Sequence, residues 1–388
     1  MTHAMTTISF YLALAALLFW ISFGIELVIG NRKIRLLRDV LPLTTASWPR
    51  VSVIIAARNE ERKISEALQS VLGQDYPNLE VIVVNDSSTD CTGELLEQVA
   101  QTAERLRVIH ITGLPAGWLG KNHALQAGAA ISAGDFLLFT DADIVMKSDA
   151  IRKAISYASR QKLDHLTVMP QEDMSGVLLG MALGAFAVFF SFVARPWRAG
   201  NPRSRFFIGV GAFNLVRADV YRAIGGHQAI AMRPDDDLKL GKLIKLRGGR
   251  QELLFGHEMI SVEWYASLRE LIDGLMKNMF SGVEYRVSAI LAATGILLFF
   301  VIWPYLAVWL SSGATFWLYL CVIVSLTLIY LETARAHRLT LWQVIGFPLS
   351  TLIFIYILWR SMILPLWHDG IWWRDTHYSL ADLRANRL

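Results

Sequence analysis

The stretch Phe136-Leu137-Leu138-Phe139-Thr140-Asp141-Ala142-Asp143 decides how this chain folds: a buried strand runs directly into two carboxylates separated by one alanine. In an open α/β sheet, ligands bind outside the carboxyl ends of the strands. Two closely spaced carboxylates at such an end can hold a divalent cation, Mg²⁺ or Mn²⁺, which neutralises a diphosphate. Helix capping produces the same short pattern. The meaning of Asp141 and Asp143 therefore depends on the chain around them.

Upstream, residues 51–57 (VSVIIAA), 81–84 (VIVV) and 108–111 (VIHI) share the character of 136–140. All four are apolar on both faces, as parallel strands covered by helices must be. Residues 60–72, 90–105, 121–132 and 148–160 carry apolar side chains at helical spacing. Repeated βα units of this kind predict a doubly wound, mostly parallel α/β sheet.

The chain has 388 residues, more than one hydrophobic core accommodates. Hydrophobic residues make up 54% and charged residues 18%, with the apolar residues gathered at the two ends. A net charge of +4 without a basic block away from the apolar segments argues against nucleic acid as a partner. Cys91 and Cys321 provide neither a disulfide framework nor zinc-site spacing.

Residues 8–30 are long and apolar enough to span a bilayer, and Arg32, Lys33, Arg35 and Arg38 follow at once. Basic residues favour the cytoplasmic side, so an uncleaved anchor (residues 1–30) is expected to deliver a short linker (31–49) to the cytoplasm. The catalytic domain is expected over 50–285 and a membrane region over 286–367. That region contains apolar stretches at 287–310, 314–331 and 344–367. The last contains Arg360 and Pro365, which leaves a span, a broken helix and a re-entrant segment open. Residues 174–194 are also apolar, but a crossing there would put Asp141 and the acidic cluster at Asp235 on opposite sides. The segment 174–198 is therefore read as an interfacial or buried helix, with Arg195, Trp197 and Arg198 as anchors. Glu26 is read as interfacial, and the tail 368–388 as cytoplasmic.

Further chemistry-bearing residues follow the strands. Arg58-Asn59-Glu60-Glu61 offers a cation and hydrogen-bonding groups to a base or phosphate; capping by Asn59 is the structural alternative. In Asn85-Asp86-Ser87-Ser88-Thr89-Asp90 a carboxylate could accept from a base edge, or the segment could be a turn and cap. Gly117-Trp118-Leu119-Gly120-Lys121 can present N–H groups and an ammonium to a diphosphate at a helix start. The glycines of Gly209-Val210-Gly211 would let backbone approach a bound ligand, or allow a tight bend.

Taken in order, the segments 53–60, 74–77, 81–90 and 141–143 resemble the inverting family 2 glycosyltransferases over about residues 50–249. The resemblance implies a GT-A fold with a nucleotide-sugar site that includes Ala57, Arg58, Glu60, Asp86, Lys121, Asp141 and Gly211. It implies that Asp86 contacts the base and that Asp141 and Asp143 form the donor and metal motif. Asn85 and Ser87 depart from the usual Asp and Gly. The cluster Asp235-Asp236-Asp237-Leu238-Lys239-Leu240-Gly241 resembles the family's acidic motif, which makes Asp237 the catalytic base and Asp236 the acid before it. A register shift by one residue stays open.

The segment 117–125 looks like the branch that glycosylates membrane lipids, including ceramide, carotenoid and hopanoid-associated enzymes. Residues 370–378 look like that branch's Trp-x-Gly-Arg-x-Tyr element, an aromatic interface belt being the alternative. The Gln-x-x-Arg-Trp motif of processive members is missing at 275–280. The expectation is transfer of one sugar, most simply from a UDP-sugar, to a lipid in a bacterial inner membrane by a cytoplasmic catalytic domain. A processive polysaccharide synthase and a non-catalytic membrane scaffold are the alternatives.

Overall fold

The order of the strands in the main sheet creates the place where a ligand can sit. The computed structural model describes residues 3–45, 47–172, 176–373 and 376–386. The strands are β1 (Val51–Ala57), β2 (Leu79–Asp86), β3 (Leu106–Ile111), β4 (Phe136–Thr140), β5 (His165–Met169), β6 (Asn214–Arg217) and β7 (Gln251–Phe255). They lie in the order β3-β2-β1-β4-β6-β5-β7. β1 pairs in parallel with β2 and β4, whereas β6 is antiparallel to β4 and β5. The sheet grows from β1 through β2 to β3 in one direction and through β4 in the other. The topological switch thus falls at the carboxyl ends of β1 and β4, where such folds form a crevice.

Successive β1 side chains point to opposite faces, and both faces are covered. Val53 and Ile55 join one core with Ile64, Leu68 and Ile151. Ile54 and Ala56 join another with Ala124, Leu125, Leu240 and Ile244. This double burial is why the strands read as continuous apolar runs. The helix expected from residue 60 begins only at Ile64, as the helix Ile64–Leu72. Residues 59–61 are instead tied to the loop after β2. Ser88 Oγ accepts from Asn59 N at 3.1 Å, Thr92 Oγ1 from Glu60 N at 2.8 Å, and Asn59 Oδ1 from Thr89 N at 2.8 Å. Asn59 therefore joins two loops rather than capping a helix. Asp90 accepts from Thr92 N at 3.0 Å in a turn ahead of the helix Thr92–Ala100, whose N-cap is Cys91 rather than Asp90.

Chain contacts divide the molecule into two units, one of residues 34–173, 196–264 and 382–388 that holds the main sheet. The other, residues 1–33, 174–195 and 265–381, is helical and apolar. It includes His3–Asn31, Val177–Ala194, Gly313–Ala336 and Phe347–Trp367, and a helix over Val287–Leu310 with a π-helical segment at Leu297–Ile302. Five helices among the described residues are long and apolar enough to cross a membrane. Phe347–Trp367 stays helical through Pro365, and Arg360 within it pairs with Asp273 at 3.0 Å. Pro304 has no N–H to give the Phe300 carbonyl four residues back, and Trp20 Nε1 donates to that carbonyl at 2.7 Å. Small residues allow close helix packing: a Cβ on Gly184 would overlap the Tyr330 ring. Glu26 pairs with Arg195 at 3.0 Å. Large apolar side chains remain bare on this unit, Trp309 at 86% and Trp367 at 81% exposure, so its surface is suited to lipid rather than water.

Candidate active site

The pocket at the carboxyl end of β4 is built around one ammonium. Lys121 is the second residue of the helix Gly120–Ala130, which follows β3. Its Nζ lies 2.8 Å from Asp141 Oδ1 and 3.5 Å from Asp236 Oδ1. Asp141 comes directly after β4, and Asp236 opens the helix Asp236–Leu246. Residues more than a hundred positions apart are therefore joined through one cation. Burial disfavours the charged lysine, but Asp141, Asp236 and Asp237 more than offset this and hold the ammonium well above its ordinary range.

Asp237 is held differently. Its Oδ2 accepts from Gly211 N and its Oδ1 from Leu238 N, both at 2.8 Å. Burial, followed by the negative charge of Asp236, pushes its carboxyl up to about 7. Asp236 is also raised by burial, with Lys121 pulling the other way. Gly211 serves both neighbours: it donates to Asp237, and a Cβ there would come within 2.7 Å of Asp141 Oδ2. Leu125, Phe139, Thr140 and His227 complete much of the wall.

The first residue of the acidic triplet is used elsewhere. Asp235 is paired with fully buried Arg233 at 3.1 Å and with Lys239 at 3.4 Å. Asp236 and Asp237 are the members that line the pocket. The turn before them is gripped by Asn122, whose Nδ2 lies 2.9, 3.2 and 2.9 Å from the carbonyls of Ile230, Ala231 and Arg233. Asn386 reaches the same turn, donating to Ala229 O and accepting from Met232 N. Asn122→Asp would set an acceptor against buried carbonyls and is expected to cost about 2–4 kcal/mol. Thermal unfolding of the detergent-solubilised variant measures that loss.

Of the residues singled out in the sequence, Lys121, Asp141, Gly211, Asp236 and Asp237 meet in this pocket. Ala57 ends β1, and Arg58 and Glu60 lie in the loop tied to residues 88–92. Asp86 is buried at the end of β2, close enough to Gly120 that a Cβ there would be 2.5 Å from Asp86 Oδ2. Ser87 has φ +54°, a left-handed conformation in which glycine is less strained. Arg374 and Asp375 of the tail pattern lie outside the described residues. The strands Gly370–Trp373 and Thr376–Ser379 on either side form a hairpin. Lys63 carries no motif signal, and Asn122, within the segment 117–125, Asn214 and His227 are not marked out as site residues by the sequence; their positions in space associate them with the site.

Asp143 lies 3.8 Å from Lys63 Nζ, which also pairs with Glu263 at 3.2 Å. Burial and then the charge of Asp141 push the Asp143 carboxyl up to about 6. A carboxyl whose proton affinity is raised by burial and by a neighbouring carboxylate belongs to a donor set that a divalent cation would relieve, so Asp141 and Asp143 fit such an ion. Among the described residues no group of three or more His, Cys, Asp or Glu is placed to hold a metal alone. Further ligands would have to come from substrate or water, as is usual for Mg²⁺ on phosphates.

Residues 52–225 match the family described as Glycosyl transferase family 2. They form a family 2 glycosyltransferase domain. An uncharacterized glycosyltransferase of Haemophilus influenzae is 37% identical over 121 residues, 31% of this chain and 36% of the relative. The 4,4'-diaponeurosporenoate glycosyltransferase of Staphylococcus haemolyticus is 26% identical over 60% of this chain and 62% of its own length. Its Staphylococcus aureus (strain bovine RF122 / ET3-1) counterpart is 24% identical over 91% of this chain and 94% of its own length. The first two of these relatives are thus matched over less than two thirds of their length. Among solved structures, a Pyrobaculum calidifontis mannosyltransferase in complex with GDP-Man and Mn²⁺ aligns with TM-score 0.55 and 18% identity, over 93% of this chain and all of that one. The family 2 domain has the GT-A fold, and the expectation of a mostly parallel doubly wound sheet holds.

Proposed function

We propose that the protein transfers a single sugar from a nucleotide-sugar donor, UDP-linked in the simplest reading, to a hydroxyl or carboxyl group of a membrane lipid. The observation that carries this reading is the convergence of Lys121, Asp141, Asp236 and Asp237 at the switch point of the sheet. Lys121 supplies fixed positive charge where a leaving diphosphate would gain negative charge. Asp237 takes the proton of the acceptor as it attacks the anomeric carbon opposite the leaving group. An α-linked donor then gives a β-linked product. Asp237 fits the base better than Asp236, because neutral N–H donors hold its oxygens whereas Asp236 faces the lysine ammonium. Asp235, committed to Arg233 and Lys239, fits neither role. Asp141 and Asp143 would hold Mg²⁺ or Mn²⁺, which when bound supplies charge stabilisation to the departing phosphate oxygens.

The lipid acceptor is supported by the carotenoid acid in the names of the staphylococcal relatives and by the bare apolar surface of the helical unit. The sheet unit is built from chain on both sides of Val177–Ala194, which supports an interfacial or buried position for that helix. Residues 382–386 pack in the sheet unit, which supports a cytoplasmic tail in a bacterial inner membrane. The test is incubation of the protein in nanodiscs of native lipid extract with UDP-sugars or GDP-mannose and Mn²⁺, following nucleotide release and lipid mass. A lipid heavier by one sugar is expected. A polymeric product would instead make it a processive synthase, and no release with any donor would favour a scaffold.

A further inference from the structure

We infer that His227 is a binding residue for the donor, its Nε2 accepting a hydrogen bond from a hydroxyl of the transferred sugar. The inference rests on the glycosyltransferase reading above and adds to it a group that selects among sugars. His227 is 1% exposed and lines the pocket with Lys121, Asp141, Asp236 and Asp237. Its ring packs edge-on against Phe139, with centroids 4.7 Å apart.

A chain of hydrogen bonds fixes which ring nitrogen carries the proton. Gln126 Oε1 can only accept, and it already takes Gln228 N at 3.3 Å. It lies 3.1 Å from the Tyr221 hydroxyl, so the one proton that can bridge those oxygens is the tyrosine's own. Tyr221 then has only lone pairs to offer His227, whose backbone N donates to it at 3.1 Å and whose Nδ1 lies 2.8 Å away. Nδ1 must therefore bring the proton, and the neutral ring carries its lone pair on Nε2.

No described residue hydrogen-bonds that nitrogen, and the ring lines the wall of the pocket. Burial, with Lys121 adding to it, pushes the imidazole down to about 3, so it stays an acceptor throughout the physiological range. A lone pair in a small polar pocket requires a donor, and a sugar hydroxyl is such a donor. A leaving diphosphate, which only accepts, is not.

The test compares affinities without lipid acceptor, by titrating detergent-solubilised protein with UDP, UDP-glucose, UDP-N-acetylglucosamine, GDP and GDP-mannose in Mn²⁺. His227→Phe keeps an aromatic ring and removes the Nε2 lone pair, along with the Nδ1 bond to Tyr221. Its affinity for the preferred nucleotide sugar is expected to fall about tenfold, and that for the matching bare nucleotide less than twofold. Equal weakening of both, or of neither, would overturn the inference while leaving the glycosyltransferase reading in place. Unchanged donor affinity with a raised KM for lipid would move the contact to the acceptor hydroxyl and overturn it likewise. Wild-type protein that binds no nucleotide sugar would overturn both readings. Should the variant misfold, ¹⁵N NMR of histidine-labelled wild type decides: an unprotonated Nε2 whose resonance moves with nucleotide sugar but not bare nucleotide is expected. A protonated Nε2 in the free protein would refute the assignment.

Discussion

Asp237→Asn is expected to reduce turnover by about 10³-fold while nucleotide-sugar affinity changes little, because the amide cannot take the acceptor's proton. The substitution is close in shape but not silent. Asp237 accepts from both Gly211 N and Leu238 N, and an asparagine oxygen can satisfy only one of them. A stability loss of about 1–2 kcal/mol should accompany the lost activity. Thermal unfolding measured beside turnover separates the two effects. The wild-type pH profile provides an independent check. A base must be unprotonated to act, and the Asp237 carboxyl is raised to about 7, so kcat/KM should fall as pH drops through about 7. That limb should be missing from the residual activity of the variant. An Asp236→Asn variant with the larger turnover loss and Asp237→Asn near wild type would shift the base by one position.

The parts of this molecule that can be read along the chain are those fixed by short-range pattern. Strands buried on both faces must be apolar throughout, so 51–57 and 136–140 were visible with their ends. Carboxylates just beyond a strand end pointed to Asp141, a glycine-flanked helix start to Lys121, and the resemblance to the family's acidic motif to Asp236 and Asp237. What could not be read depends on partners far away in sequence. The helix start at Ile64 rather than residue 60 follows from loop bonds spanning about thirty residues. The division of labour in Asp235-Asp236-Asp237 is invisible in three identical letters and emerges only when Arg233 and Lys239 take the first. His227 sits in an ordinary Gly-Gly-His turn, and its tautomer depends on Gln126, about a hundred positions away. Pro365 leaves a broken helix open in the sequence, yet the helix runs through it, and the Phe300 carbonyl left by Pro304 is served by Trp20 from the other end of the chain.

Lys121→Met should lower kcat/KM by about 10²–10³-fold, with effects on both donor binding and turnover. Methionine keeps most of the side-chain volume and helix propensity, so the change is chiefly one of charge. The ammonium now stands between Asp141 and Asp236, at 2.8 and 3.5 Å. Without it, Asp141, Asp236 and Asp237 are left as carboxylates sharing one pocket, and at neutral pH some of that charge is relieved by taking up protons. The base limb of the pH profile should consequently move upward, since Lys121 is among the groups that hold the Asp237 carboxyl down. Lys121→Arg keeps the charge but places a planar, larger group between two acids set for a compact one, so it should recover the pH profile better than the turnover. A Met variant with full donor affinity would show that Lys121 only braces the acids, and the diphosphate's positive partner would have to be sought elsewhere in the pocket.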